Sequence, residues 1–104
     1  MKDLIFKYYC SLTCCNWYVS TFPTRAVVEK FGISQYKAKK YIKELVDDGL
    51  LEKNSEWVTY DEEEPPVFQR GYKLTKKACE TEVYKKECQR VEDSLREWAN
   101  GYEA

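Results

Sequence analysis

The sequence contains no histidine, one methionine and four glycines, and its formal net charge at pH 7 is −1. Without histidine, the chain lacks the side chain most often used as a general base or a zinc ligand near neutral pH. It also lacks a glycine-rich phosphate loop and a nucleophile motif, and paired carboxylates such as Glu62 and Glu63 fall in a polar loop. The sequence therefore predicts no enzyme, no catalytic residue, no cofactor and no metal site.

Long apolar runs are absent as well. No stretch approaches the roughly 18 consecutive apolar residues of a membrane-spanning helix. The first residues resemble a signal peptide only weakly, because Asp3 and Lys7 interrupt the apolar run and no small-residue cleavage site follows. Five cysteines are an odd count without secretory features, which favours reduced thiols. We expect a cytoplasmic protein with no membrane partner.

The near-zero net charge conceals an uneven distribution. The chain has 104 residues, of which 43% are hydrophobic and 15% aromatic, enough for one folded domain over 1–104. Residues 24–43 contain Arg25 and five lysines against Glu29 alone, a net charge of +5. Residues 44–66 contain nine acids against Lys53, a net charge of −8. A basic block followed by an acidic block indicates two surfaces of opposite charge.

The first fifteen residues have the apolar spacing of a helix, at intervals of three and four. The residues of this predicted apolar face are Leu4, Ile5, Tyr8, Tyr9, Leu12 and Cys15. We therefore predict a helix over 1–15. Trp17-Tyr18-Val19 is β-prone and predicts a short strand before Pro23.

Residues 24–48 have the pattern of two helices joined by a tight turn. Thr24 is a suitable N-cap for the first helix, and Gly32 can end it in the left-handed conformation. Ser34 then caps a second helix that reaches Asp48, with Ile33 buried in the turn. On a helical wheel, the core face of this second helix consists of Ala38, Ile42, Leu45 and Val46.

The remaining residues predict a hairpin and a final helix. Two β-prone stretches within 50–74 flank the run Asp61–Pro66, where prolines and acids predict a loop. Thr75 caps a helix predicted over 75–99, and apolar residues at alternating spacings of four and three form a heptad seam along it and just beyond its end. The seam consists of Tyr84, Cys88, Val91, Leu95, Trp98 and Tyr102.

The stretches TRAVVEKFGISQYKAKKYIKELVDDGLLEK and GYKLTKKA resemble the winged helix-turn-helix superfamily. The resemblance covers Thr24 to Thr75 well and the whole chain loosely. It includes Gly49 followed by two leucines, and the Tyr-x-Leu-Thr element that ends at Thr75. It implies a mainly α fold with a small β-hairpin wing and a long C-terminal helix. The long final helix resembles the dimerisation helix of PadR-like regulators, and the chain is similar in style to small phage proteins.

This resemblance implies binding of double-stranded DNA by a dimeric transcriptional regulator. The second helix of the motif enters the major groove, where its N-terminal residues reach base edges. The recognition-helix residues are Ser34, Gln35, Tyr36, Lys37, Lys39, Lys40 and Lys43. The residues expected to contact phosphates are Arg25, Arg70 and Lys73. The predicted wing tip Asp61–Glu64 departs from the family, in which this loop is usually basic.

Three alternatives remain open from the sequence. Some members of the superfamily are protein-interaction modules, and the acidic wing favours such an adaptor. The heptad seam permits packing either on helix 1–15 of the same chain or on the final helix of a second copy. Metal or redox sensing is a further possibility if the two helices that contain the cysteines pack together. Those residues are Cys10, Cys14, Cys15, Cys79 and Cys88.

Overall fold

The structure is a computed structural model that describes residues 1–16 and 19–103, with side chains up to Trp98. The fold is mainly helical with one two-stranded antiparallel hairpin, which confirms that part of the predicted fold class. The elements in chain order are α1 (Lys2–Cys15), α2 (Thr24–Phe31), α3 (Gln35–Asp47), β1 (Leu51–Val58), β2 (Val67–Leu74), α4 (Lys76–Cys79) and α5 (Glu82–Glu103). None of the described helices is both long and apolar enough to cross a bilayer.

Glycine and serine define the boundaries of α2 and α3. Gly32 ends α2 with a φ of 62°, a left-handed conformation that costs glycine little because it has no Cβ. The hydroxyl of Ser34 then accepts a hydrogen bond from the backbone N–H of Lys37 and caps α3. Thr24 was expected to cap α2, but it is the first helical residue, and Pro23 occupies the cap without a side-chain hydrogen bond.

The core lies where α1, α3 and the base of the hairpin meet. The fully buried side chains include Ile5, Tyr9, Ile42, Leu45 and Leu51. The buried face of α1 is rotated from the predicted one. Phe6 and Cys10 replace Leu4 and Cys15, because α1 contacts both α3 and α5 rather than a single neighbour.

The hairpin is attached to the chain before α2. Phe22 and Tyr72 exchange two backbone hydrogen bonds of 2.9 and 3.0 Å, so Phe22 adds a short bridge at the edge of β2. A Cβ on Gly71 would lie 2.8 Å from the nitrogen of Pro23 and even closer to the Phe22 carbonyl, so only glycine permits this approach. A strand was expected at 17–19; Trp17 and Tyr18 lie outside the described residues, and the observed bridge forms at Phe22 instead.

Side chains of β1 strengthen this attachment. The carboxylate of Glu56 accepts hydrogen bonds from the backbone N–H groups of Ser20 and Thr21 at 2.9 and 3.2 Å, and from the Ser20 hydroxyl. Asn54 donates to the hydroxyl of Thr21 at 2.6 Å. Burial raises the pKa of Glu56, but these hydrogen bonds outweigh it, so the pKa lies below its ordinary value.

The prediction of a single helix over 75–99 is wrong, because the first helix ends after one turn and a second one follows. Thr75 caps α4, accepting a hydrogen bond from Ala78 N–H, and α4 ends at Cys79. The Thr81 hydroxyl then accepts from Tyr84 N–H at 3.3 Å and starts α5 as a separate helix. A threonine hydroxyl that bonds the backbone competes with helix continuation, which explains the break.

The expectation of five reduced thiols is also wrong, because α5 packs on α1 and a disulfide joins Cys14 to Cys88. Beside it, the nearly buried carboxylate of Glu87 accepts from Ser11 and from Arg90, the latter at 3.0 Å, and lies 3.6 Å from Lys7. The two cysteines are 74 positions apart in sequence, and only the packing of the two helices brings them together.

Candidate nucleic-acid interface

The N-terminal end of α3 projects into solvent. Ser34, Gln35 and Tyr36 are all exposed, and Tyr36 retains 79% of its accessible surface. The Ser34 cap leaves some of the first N–H groups of the helix without a protein acceptor, a feature that favours anionic ligands. The residues at this end of α3 that were predicted to contact bases are therefore accessible to solvent.

The outward face of α3 is cationic. Four of its lysines are exposed, and in the part of the chain that the structure describes none of them has a carboxylate within 4.0 Å. We call this surface the lysine face; it consists of Lys37, Lys39, Lys40 and Lys43. The opposite face is anchored by Ala38, Ile42 and Leu45, each at most 1% exposed, so the position of the helix is fixed. Val46, also predicted for the core face, is half-buried.

At the opposite end of α3, the C-cap residue Asp48 has a cationic partner. Lys2 donates a 2.7 Å hydrogen bond to the carboxylate of Asp48, and this bond raises the pKa of Lys2. Lys77 donates to the Asp48 backbone carbonyl at 3.0 Å. The charge along α3 therefore runs from lysines along its outward face to acids at its end, of which Asp48 is paired with Lys2.

The predicted phosphate contact Arg25 lies next to this helix. Arg25, Val28 and Gln35 line a small cavity of about 210 Å³. The Arg25 guanidinium forms a 2.8 Å ion pair with Glu29 one turn along α2. Its position suits the prediction, but its charge is already balanced by Glu29.

Arg70 and Lys73, the two hairpin residues predicted to contact phosphates, point to opposite faces of β2, because side chains alternate along a strand. Lys73 forms a 3.5 Å ion pair with Glu52, its cross-strand neighbour. Arg70 has its guanidinium 5.1 Å from the ring centroid of Phe68. It also lines a groove of about 580 Å³ between the hairpin and the start of α2, together with Lys53 and Thr24. The structure does not bring Arg70 and Lys73 together.

The far end of the hairpin has a feature that sequence reasoning missed. Trp57 and Phe68 are cross-strand neighbours whose ring centroids are 5.1 Å apart, and both are exposed, at 70% and 41%. Next to them, the four acids of the tip, Asp61–Glu64, are also exposed. Both residues lie in β-prone stretches, but their exposure depends on which face of the hairpin they occupy, since the next residue of β1, Val58, is buried in the core.

The predicted dimer seam divides into two parts. Tyr84 packs against the core and Cys88 is bonded to α1, so the first half of the seam is used within the chain. Val91 is half-buried, whereas Leu95 and Trp98 are 60% and 69% exposed. The side chain of Tyr102 lies outside the described residues.

The remaining cysteines are Cys10, Cys15 and Cys79. Burial raises the pKa of the Cys10 thiol to about 12, and the neighbouring Cys79 adds to the effect, so Cys10 stays protonated near neutral pH. Cys15 is exposed. Within residues 1–16 and 19–103, no three cysteine, aspartate or glutamate side chains are grouped so that they would hold a metal ion.

Comparison with protein-family models, with curated proteins and with solved structures finds no match for this chain.

Proposed function

We propose that this chain is a winged helix-turn-helix protein that binds double-stranded DNA with α3 in the major groove. The observation that supports this most is the lysine face, four exposed cations on one helix with no carboxylate within 4.0 Å in the described chain. The three-residue turn Gly32-Ile33-Ser34 between α2 and α3 has the length and glycine of a helix-turn-helix. In this arrangement Gln35, Tyr36 and Lys39 are closest to the bases, and Lys37, Lys40 and Lys43 contact phosphates or guanine.

The first test measures DNA affinity as a function of salt by fluorescence anisotropy with duplexes of mixed sequence. Neutralising about four phosphates should give a slope of log K against log salt of about −3 to −4. Replacing Lys37 and Lys40 by glutamine should weaken binding and reduce the steepness of that slope by about 2. Absence of binding at low salt would overturn the proposal.

A matched control uses the exposed lysines of α5. Lys85→Gln with Lys86→Gln removes the same charge from a helix that packs on α1, away from α3. This control should leave the salt slope unchanged. If both double variants lose affinity equally, binding is a general charge effect and the assignment to α3 is wrong.

We further propose that the protein acts as a homodimer, in the manner of a small cytoplasmic transcriptional regulator. The exposed Leu95 continues the seam beyond the contact with α1, which suits pairing with the same segment of a second copy. Light scattering should give a dimer for the wild type and a monomer for Leu95→Ser. Val83→Ser, at a 39% exposed position on the same helix, serves as the control and should remain dimeric. A monomeric wild type would refute the dimer.

A further inference from the structure

The end of the hairpin presents an apolar surface that the core does not cover. Trp57 and Phe68 form a cross-strand aromatic pair on one face of the hairpin, whereas the next pair, Val58 and Val67, lies on the other face. Neighbouring exposed apolar side chains are unusual on a protein surface unless they serve an interaction. Tryptophan in particular is enriched among the residues that dominate binding energy at interfaces.

The acidic tip borders this apolar surface. Asp61–Glu64 lie in the loop between the strands, and a tight turn fixes their backbone. The N–H of Glu63 donates to the Asp61 carboxylate at 3.1 Å, and the N–H of Glu64 donates to the Asp61 carbonyl at 3.1 Å. Among the described residues, no lysine or arginine nitrogen lies within 4.0 Å of these four carboxylates. We call the tip and the aromatic pair of Trp57 and Phe68 the distal hairpin patch.

The chemistry of the patch selects the kind of partner. Exposed aromatic rings can stack on nucleic-acid bases, but such sites lie in cationic grooves that follow the phosphates. Here four carboxylates border the rings, against the single guanidinium of Arg70 stacked on Phe68. Like charges across an interface are strongly unfavourable, whereas opposite charges attract and orient the partner. A polyanion is therefore disfavoured at this surface.

We propose that the distal hairpin patch binds a cationic protein segment with an apolar anchor residue. The anchor contacts the aromatic pair of Trp57 and Phe68, while lysine or arginine side chains of the partner contact the carboxylates of Asp61–Glu64. This surface is distinct from the lysine face of α3, and the proposal does not depend on DNA binding.

The test uses three fluorescent peptides of equal length, with alternating Lys/Leu, Lys/Ser or Glu/Leu sequences, titrated into the full chain. The Lys/Leu peptide combines charge and anchor and should bind most tightly. The Lys/Ser peptide lacks the anchor and should bind about tenfold more weakly, and the Glu/Leu peptide should not bind. Failure of the Lys/Leu peptide to bind, or equal binding of Glu/Leu, would overturn the proposal.

Two variants locate the binding site. The tip variant has Asp61→Asn, Glu62→Gln, Glu63→Gln and Glu64→Gln, and keeps an acceptor for the turn. The aromatic variant has Trp57→Thr and Phe68→Thr, which preserves β-propensity. Each should weaken Lys/Leu binding about tenfold, and circular dichroism should show that each remains folded. The control variant, Lys37→Gln with Lys40→Gln, should bind the peptide within about twofold of the wild type.

If the patch binds something other than a cationic protein segment, the same wild-type and variant proteins should give different results. If the aromatic variant loses affinity for mixed-sequence duplex DNA as strongly as the lysine-face variant does, the patch belongs to a nucleic-acid interface. If the wild type self-associates and the tip variant does not, the occupant is the lysine face of a second copy. Either result would overturn the proposal.

Discussion

The lysine face of α3 and the distal hairpin patch are both exposed, yet they differ in construction. The lysine face belongs to a helix whose other side is at most 1% exposed at three positions, so its cations have fixed spacing. The patch lies at the end of the hairpin, on the face that the core does not cover, and it combines acids with exposed rings. The net charge of −1 is summed over the whole chain and describes neither surface. Local charge, rather than total charge, is informative about partners in a chain of this kind.

Ion pairing distinguishes the lysine face from several other cations of the molecule. Several cations elsewhere in the molecule form ion pairs, among them Lys2 with Asp48, Arg25 with Glu29 and Lys73 with Glu52. The lysine face has no such ion pair in the described chain. An anionic ligand at a paired cation must compete with the existing carboxylate, so the unpaired cations should dominate any binding to a polyanion.

The largest expected effect on stability concerns the attachment of the hairpin to the segment before α2. Gly71→Ala should lower the free energy of unfolding by about 2 to 3 kcal/mol, because the added Cβ displaces the backbone of Phe22 and Pro23. Gly32→Ala, at a left-handed turn with open space around it, should cost about 1 kcal/mol. Urea denaturation measures both. Equal costs would mean that the attachment at Phe22 contributes little to stability.

The next effect is a change in DNA affinity, which we compare between a lysine without an ion pair and a lysine that has one. Lys40→Gln should weaken binding to duplex DNA about fivefold, or about 1 kcal/mol, through the loss of one phosphate contact. Lys73→Gln removes the same charge from an ion pair with Glu52 and should change affinity less than twofold. Anisotropy titrations at one salt concentration compare the two variants. A larger loss for Lys73 would move the interface from α3 to the hairpin.

A smaller effect concerns Glu56, the acid of β1 that attaches the hairpin to the preceding segment, rather than the acids at the hairpin tip. The lowered pKa of Glu56 means that its carboxylate stabilises the fold above its ordinary pKa of 4.5, and that this contribution is lost as the pH falls through the folded-state value. Glu56→Gln should cost up to about 1 kcal/mol at pH 7 and reduce the loss of stability below pH 4.5. Thermal unfolding across this pH range measures the difference. Parallel pH profiles for wild type and variant would contradict the assignment.

The smallest effect tests whether the two surfaces influence each other. Neutralising Asp61–Glu64 removes four negative charges from the molecule and should strengthen DNA binding by the lysine face about twofold at low salt. Physiological salt should abolish this gain, because the Debye length there is about 8 Å. Lost affinity in the tip variant would show that the tip itself participates in DNA binding.

Much of the helical part of the fold could be predicted from local chemistry. The turn Gly32-Ile33-Ser34 sets the end of α2 and the start of α3 through a left-handed glycine and a hydroxyl cap, both of which are local in sequence. The outward face of α3 follows from its apolar spacing in the same way. These features need only a few neighbouring residues to be specified.

The features that escaped prediction depend on contacts between distant segments. The exposure of Trp57 and Phe68 depends on the hairpin register, and the bridge at Phe22 depends on Gly71 many residues later. The heptad spacing left open whether Tyr84 and Cys88 face helix 1–15 or a second copy, and in the structure α1 occupies that face of α5. Heptad spacing shows that a helix face is apolar but does not identify its neighbour.

The disulfide between Cys14 and Cys88 determines how the chain responds to a pulling force. It closes a covalent ring that contains α2, α3, the whole hairpin and α4. A pulling force applied to the two ends of the oxidised chain passes through α1, the sulfur–sulfur bond and α5. It can extend only the residues before Cys14 and after Cys88, and no tension reaches the lysine face or the distal hairpin patch. After reduction, the same force would extend the entire chain.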